Sequence, residues 1–187
     1  QHRLCEGSCT KANEPGGAVT IGAIEHYLVN EALDNKWDIP NKARKIDKQI
    51  AVIGAGPAGL ACADELNKAG CEVTVFDRND EVGGLMATGV PPFKLDKAAL
   101  IRRHKMLEQQ GVKFSLGVEV DEAVLSEIET ASDAIFLGTG AQTSRDLKVP
   151  GQNLKGVTDA LIYLQQVNIP KDDNALADKH VPVMGGG

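Results

Sequence analysis

The sequence predicts an α/β fold, a parallel sheet with flanking helices, preceded by a short α-helical segment. Three observations carry that prediction. Residues 49–77 read as strand, glycine turn, helix and strand, the unit from which parallel sheets are built. Strand and helix patterns then keep alternating to residue 167. Residues 1–48 instead read as loop, helix and polar connector.

The central unit is QIAVIGAGPAGLACADELNKAGCEVTVFD. Gln49–Ile53 is a short apolar strand, and Gly54, Gly56 and Gly59 follow it in G-x-G-x-x-G spacing. Ala58 to Ala69 carries apolar residues at helical intervals (Leu60, Ala61, Ala63, Leu66, Ala69), and Gly70 is placed to end it. Glu72–Phe76 alternates as a second strand with Asp77 at its tip. Gly54 allows the tight turn out of the strand. Gly56, without a Cβ, lets a pyrophosphate approach the backbone, and Gly59 lets helix and sheet pack closely. The helix start offers unpaired N–H groups and a positive dipole end to phosphates. Asp77, 23 positions after Gly54, is suited to accept hydrogen bonds from a ribose. The pattern predicts dinucleotide binding and leaves FAD and NAD(P) both open.

Composition sets bounds. The 187 residues allow one to two domains with a sizeable core. With 42% hydrophobic and 25% charged residues, the chain fits an ordinary globular protein. A net charge of −6 argues against a nucleic-acid partner and against an anionic membrane surface. No apolar run approaches the ~20 residues of a membrane helix, and no signal peptide is visible. The chain begins at Gln1 and stops inside what reads as a second glycine turn, HVPVMGGG at 180–187, with a strand leading into it. It is therefore expected to be a piece of a longer protein. Of the four cysteines, Cys62 and Cys71 fall in the apolar pattern of the βαβ unit and are expected to be small buried residues. Cys5 and Cys9 lie in a polar loop, RLCEGSCT, and their spacing suits metal or cluster ligation in a reducing cytoplasm better than a structural disulfide.

The remaining elements follow from pattern. Residues 1–17 are expected as loop. Ala18–Asn35 reads as a helix with Ile21, Ile24, Leu28 and Ala32 on one face, Thr20 as N-cap, and Glu25 and His26 beside that face. Lys36–Lys48 is a solvated linker that Trp37 packs down. Residues 81–97 hold paired glycines (Gly83, Gly84), Gly89 and Pro91–Pro92, and read as a long functional loop. Asp96 caps a helix to Gln110 with Leu100, Met106 and Leu107 inward, and Arg102, Arg103, His104 and Lys105 form its wet face. Short strands are expected at 112–115 and 118–120, a helix at 121–129, and a buried strand at 133–138 running into Gly138-Thr139-Gly140. That last turn should lie beside the first glycine loop. A further helix covers 158–167, with Leu161 and Leu164 inward.

Taken together, these stretches resemble the small (beta) subunit of NADPH-dependent glutamate synthases and their relatives. The likeness covers RLCEGSCT, GAVTIGAIEHY, VIGAGPAGLACADEL, VFDR, GGLMATGVPPFKLDK, FLGTGA and the opening VMGGG. The resemblance implies a Rossmann-like FAD-binding domain after a short α-helical iron–sulfur segment. It divides the chain into 1–45 (end of the helical iron–sulfur segment and linker), 46–178 (incomplete FAD-binding domain) and 179–187 (start of an NAD(P)H-binding domain). It implies that FAD accepts hydride from NADPH and that electrons leave through [4Fe-4S] clusters. The acceptor would be a large subunit that converts glutamine and 2-oxoglutarate into glutamate in the cytoplasm.

By the same resemblance, Gly54, Gly56, Pro57, Ala58 and Gly59 hold the FAD pyrophosphate, and Asp77 with Arg78 meets the adenosine ribose. Gly84, Leu85 and Lys94 contact its phosphates and ribityl chain, Val120 meets adenine, and Thr139 and Gly140 close over the cofactor. Cys5 and Cys9 match two cluster ligands, and Glu25 falls where related dihydropyrimidine dehydrogenases place a non-cysteine ligand. No residue is assigned acid–base catalysis. Two other readings stay open. One is the flavin subunit of a ferredoxin–NADP transhydrogenase or a dihydropyrimidine dehydrogenase-like enzyme, and the other is a non-catalytic nucleotide-binding module. The 187-residue piece alone is expected to show no turnover.

Overall fold

A computed structural model of the chain describes residues 3–35, 37, 44–144, 148–168, 176 and 178–184. The chain forms two units, Gln1–Pro40 and Asn41–Gly187.

In the first unit, the expected loop contains two short turns, α1 (Leu4–Gly7) and a 3₁₀ turn over Thr10–Asn13. Helix α2 runs over Ile21–Asp34. Thr20 is its N-cap residue, but its side chain makes no capping bond. The helix ends where the backbone N–H and side-chain amide of Asn35 both donate to Glu31 O, at 3.0 and 2.8 Å. None of these three elements contains a buried residue. The expected apolar face of α2 forms but stays open, with Ile24 47% and Leu28 57% exposed. Trp37, expected to pack the linker down, is 63% exposed.

The second unit holds a four-stranded parallel sheet of order β3-β2-β1-β4. Its strands are β1 (Gln49–Ile53), β2 (Glu72–Asp77), β3 (Lys113–Leu116) and β4 (Ala134–Leu137). The helices are α3 (Pro57–Lys68), α4 (Leu85–Thr88), α5 (Ala98–Gln109), α6 (Glu122–Ala131) and α7 (Ala160–Asn168). Strand β1 is central because it is the most apolar, with Ala51, Val52 and Ile53 all buried. In β2, burial alternates, so Val73 and Val75 face the core under α3. Leu60 and Ala63 of α3 meet them with Cys71, Val82, Leu107 and Val112. Each fully buried valine or leucine in that cluster contributes about 1.5–3 kcal/mol.

Several expectations are corrected here. The 133–138 strand is not buried: β4 is an edge, and Leu137 is 67% exposed. Residues 118–120 form no strand, although Val118 N–H donates to Asp77 O at 2.9 Å. The loop at 81–97 contains α4. Asp96 is not the N-cap residue of α5, though its Oδ1 accepts the Ala98 N–H at 2.9 Å.

Two members of the expected wet face of α5 are occupied. Arg103 donates to Asp64 Oδ2 at 2.6 Å, and His104 stands edge-on to Phe114 with ring centres 4.4 Å apart. Residues 180–184 form no strand, and Val183 is 82% exposed; Gly185–Gly187 lie outside the described residues. Asp121 does cap α6, accepting the Val124 N–H at 2.9 Å.

Candidate functional site

Strand order places a reversal between β1 and β4. The chain passes from β1 to β2 and β3 on one side, then returns to pair β4 on the other. In an open parallel sheet, a crevice forms at such a switch, beyond the carboxyl ends of the strands. Glycines follow both strands there.

Gly54 turns out of β1 with φ +110°, where side chains are disfavoured. Its N–H donates to Phe76 O at 2.8 Å, and Gly138 N–H donates to Ile53 O at 2.8 Å. A Cβ on Gly54 would lie 2.4 Å from Gly138 O, and one on Gly59 would lie 1.8 Å from Gly54 O. Backbone packing alone therefore demands glycine at both positions, and the Gly138-Thr139-Gly140 turn sits against the first glycine loop as expected.

Gly56 is different. Its φ is an ordinary −75°, and the nearest atom to an added Cβ is Gly84 Cα at 4.0 Å. The protein's own packing does not require glycine here, so the missing side chain leaves room at the N-cap of α3. No side chain caps that 12-residue helix. Its first N–H groups and its dipole point to an anion. Pro57 at the first helical position sacrifices no hydrogen bond. These features fit a dinucleotide pyrophosphate.

The paired-glycine loop seats on this turn. Gly83 N–H donates to Ala55 O at 2.8 Å, and a Cβ on Gly84 would come within 3.0 Å of Gly56 Cα. Leu85 opens α4 directly after it. Asp77 is 9% exposed and braces the same turn. Its Oδ2 accepts the Ala55 N–H at 2.7 Å, and its Oδ1 accepts both the backbone N–H and the Nδ2 of Asn79 at 2.8 Å. A carboxylate has about four acceptor positions, which leaves capacity for one hydroxyl donor.

The other expected contacts are spread more widely. Ala58, Arg78, Lys94, Thr139 and Gly140 are exposed, and Val120 is half-buried just before the α6 cap. Sequence reading missed Asn79, whose D-x-N spacing after the strand is a readable side-chain turn signal. It also missed Lys97, whose ammonium donates to the carbonyls of Met86 and Val90. Burial holds that ammonium below its usual pKa, with Glu81 acting the other way.

In the first unit, Cys5 is exposed on α1 and Cys9 is half-buried at the head of the 3₁₀ turn. The Val19 N–H donates to Cys9 Sγ at 3.5 Å. Glu25 is exposed on α2. Among the described residues, no group of three or more His, Cys, Asp or Glu is placed to hold a metal, so Cys5, Cys9 and Glu25 do not form one. Among the same residues, no helix is long and apolar enough to cross a membrane.

Comparison with known proteins places this geometry. The chain matches the pyridine nucleotide-disulphide oxidoreductase family over residues 21–129 and 48–187. It is 44% identical, over its whole length and 48% of the relative's, to a putative glutamate synthase [NADPH] small chain of Cereibacter sphaeroides. It is also 44% identical, again over its whole length but only 30% of the relative's, to the putative oxidoreductase AegA of Escherichia coli. Among solved structures, Mycobacterium tuberculosis FprA in complex with NADPH superposes with a TM-score of 0.59 at 28% identity, over 65% of this chain and 29% of that one. The chain thus spans half or less of the length of these relatives. Strand order, glycine turns and sequence agree that the chain belongs to the pyridine nucleotide-disulphide oxidoreductase family.

Proposed function

We propose that the chain is part of an electron-input flavoprotein subunit of the glutamate synthase type. One observation carries the reading: three glycine stretches converge at the switch between β1 and β4, and room is kept at Gly56, where packing does not require it. The similarity to the Cereibacter small chain supports the choice of enzyme, and the likeness to FprA in complex with NADPH supports NADPH as the hydride donor.

FAD, when bound, supplies the capacity to take a hydride from NADPH and release electrons singly. The protein's part is binding and orientation. Gly54, Gly56, Pro57, Ala58 and Gly59 form the pyrophosphate seat at the start of α3. Asp77, already fixed by Ala55 and Asn79, offers its remaining acceptor position to the adenosine ribose, with Arg78 beside it. Gly84, Leu85 and Lys94 serve the phosphates and ribityl chain, Val120 the adenine, and Thr139 and Gly140 the cover. None of these side chains acts as a general acid or base.

By the resemblance, Cys5, Cys9 and Glu25 would each serve as a [4Fe-4S] ligand without forming one joint site among the described residues, and the Val19 N–H donates to Cys9 Sγ as such N–H groups do to cluster sulfurs. The acceptor is a large glutamate synthase subunit, and the assembly works in the cytoplasm. Equal identity to AegA keeps a second reading, a flavoprotein of the same build feeding a different electron acceptor. Co-purification of a large glutaminase-bearing subunit separates the two.

The test is the absorbance spectrum of the full-length protein, purified without air, before and after NADPH. A flavin spectrum that bleaches, over broad iron–sulfur absorbance, is the expected result. A colourless protein that releases NAD(P) on denaturation would remove the flavin assignment.

A further inference from the structure

Helix α4 is a single turn, Leu85–Thr88, between Gly84 and Gly89. One turn does not persist unaided in water, and its last carbonyls lack partners within the helix. Here three of its four carbonyls, those of Leu85, Met86 and Thr88, are closed from outside or by the following chain. Leu85 O accepts the N–H groups of Gly89 and Val90 at 2.9 and 3.0 Å. Thr88 O accepts the Asn168 side-chain amide of α7 at 3.0 Å. Met86 O and Val90 O both accept from the Lys97 ammonium. Lys97 is the N-cap residue of α5, and α5 is anchored in the core through the fully buried Leu107. The ammonium is therefore a charge of favourable sign, on a rigid mount, at the carbonyl end of the turn.

The entrance of α4 is the part that meets the first glycine turn. Gly84 stands there with φ +53°, a Cβ's width from Gly56, and Gly83 donates to Ala55. A loop held only at its entrance would be able to lift away from Gly56, and closing its exit removes that freedom. We infer that Lys97 is a positioning residue for the flavin dinucleotide, fixing Gly83–Gly84 against Ala55–Gly56 by binding the exit carbonyls of α4. The inference rests on the reading of the first glycine turn as the FAD site.

The experiment uses full-length protein stripped of flavin, as wild type, Lys97→Met and Lys97→Arg. FAD affinity is read from flavin fluorescence on titration, and hydrogen exchange is followed across residues 84–90 without FAD. Methionine keeps the length of the side chain and loses every donor, whereas arginine keeps donors and charge. The expected result is a Kd raised at least tenfold in Lys97→Met, faster exchange at 84–90, and partial rescue of both in Lys97→Arg. A wild-type Kd in Lys97→Met overturns the inference. Should Lys97→Met fail to fold, Lys97→Gln takes its place under the same criterion, and loss of fold in both makes Lys97 a stability residue and also overturns it. If wild type itself takes up no FAD, the flavin reading fails, while slow exchange at 84–90 that Lys97→Met accelerates would still report the hold of Lys97 on the loop.

Discussion

Around Gly54 the backbone is packed so closely that one added carbon would meet Gly138 O at 2.4 Å, whereas around Cys5 and Cys9 no helix contributes a buried residue. The glycine region is organised by protein atoms alone: β1, β2 and β4 set the strand ends, and Asp77, Gly83 and Gly138 lock the turn between them. The cysteine segment has an open apolar helix face and one N–H···S contact to Cys9. The first arrangement is ready for a ligand before it arrives. The second has no buried residue in its described helices, so under the proposed cluster reading its order comes from what it binds.

The largest effect should come from the glycine turn, and it should split by position. Gly59→Ala puts a carbon 1.8 Å from Gly54 O, so α3 must leave the sheet, at a cost of about 3 kcal/mol. The Cβ of Gly56→Val meets only Gly84 Cα at 4.0 Å, and the extended backbone at this N-cap is one a branched residue adopts without strain. It should therefore melt within about 1 kcal/mol of wild type and bind no FAD. Thermal melts and flavin content of the full-length variants check both. Stoichiometric FAD in Gly56→Val would show that the space at Gly56 is not the pyrophosphate seat.

The two regions should also fail separately. Replacing both Cys5 and Cys9 with serine should remove iron and the broad absorbance while leaving FAD in place. Iron and flavin assays on the same preparation decide it. Joint loss of flavin would break the contrast and make the cysteine segment part of the flavin region's stability.

A smaller effect is expected at Asp77. Asp77→Asn replaces an acceptor with an NH₂ group, so either Ala55 N–H or Asn79 faces a donor in a site 9% exposed. The loss should be about 1–3 kcal/mol of stability. FAD affinity should weaken along with it. Unchanged affinity, with only the melt displaced, would assign Asp77 to bracing the turn and not to the ribose.

How much of this could be read beforehand depended on the range of the interactions. The unit β1–α3–β2 was legible because period, glycine spacing and the Gly70 end signal all lie within 29 residues. The meeting of Gly138 with Gly54 was legible too, because parallel order sends both turns to one edge. The seat of Gly84 on Gly56 was not, since no local pattern encodes a contact between two loops. Arg103 and His104 looked solvated because they sit in a basic run, and their partners, Asp64 and Phe114, lie on other elements. The apolar run of β4 looked buried, but apolar composition does not say which strand takes the edge.

Asp64 and Arg103 supply the smallest and most selective test, because they tie α3 to α5 away from the glycine turn. Burial alone pushes the Asp64 carboxyl up, but the hydrogen bonds and charges of Lys68 and Arg103 more than offset it and leave its pKa below the ordinary value. A carboxyl depressed in the folded state contributes stability above its unfolded pKa of about 3.9, and that contribution is lost as pH falls through the lower folded value. Arg103→Ala leaves Lys68 in place at 2.8 Å, so the loss near neutral pH should be about 1.5 kcal/mol. The gap to wild type should narrow once pH drops below about 4. Flavin and iron contents should stay unchanged, because Arg103 contacts Asp64 and none of the residues proposed to hold either group. Denaturation series at pH 7 and pH 3 measure the gap. A deficit that persists undiminished in acid would mean that Arg103 stabilises through the packing of its stem against α3 and not through the charge on Asp64.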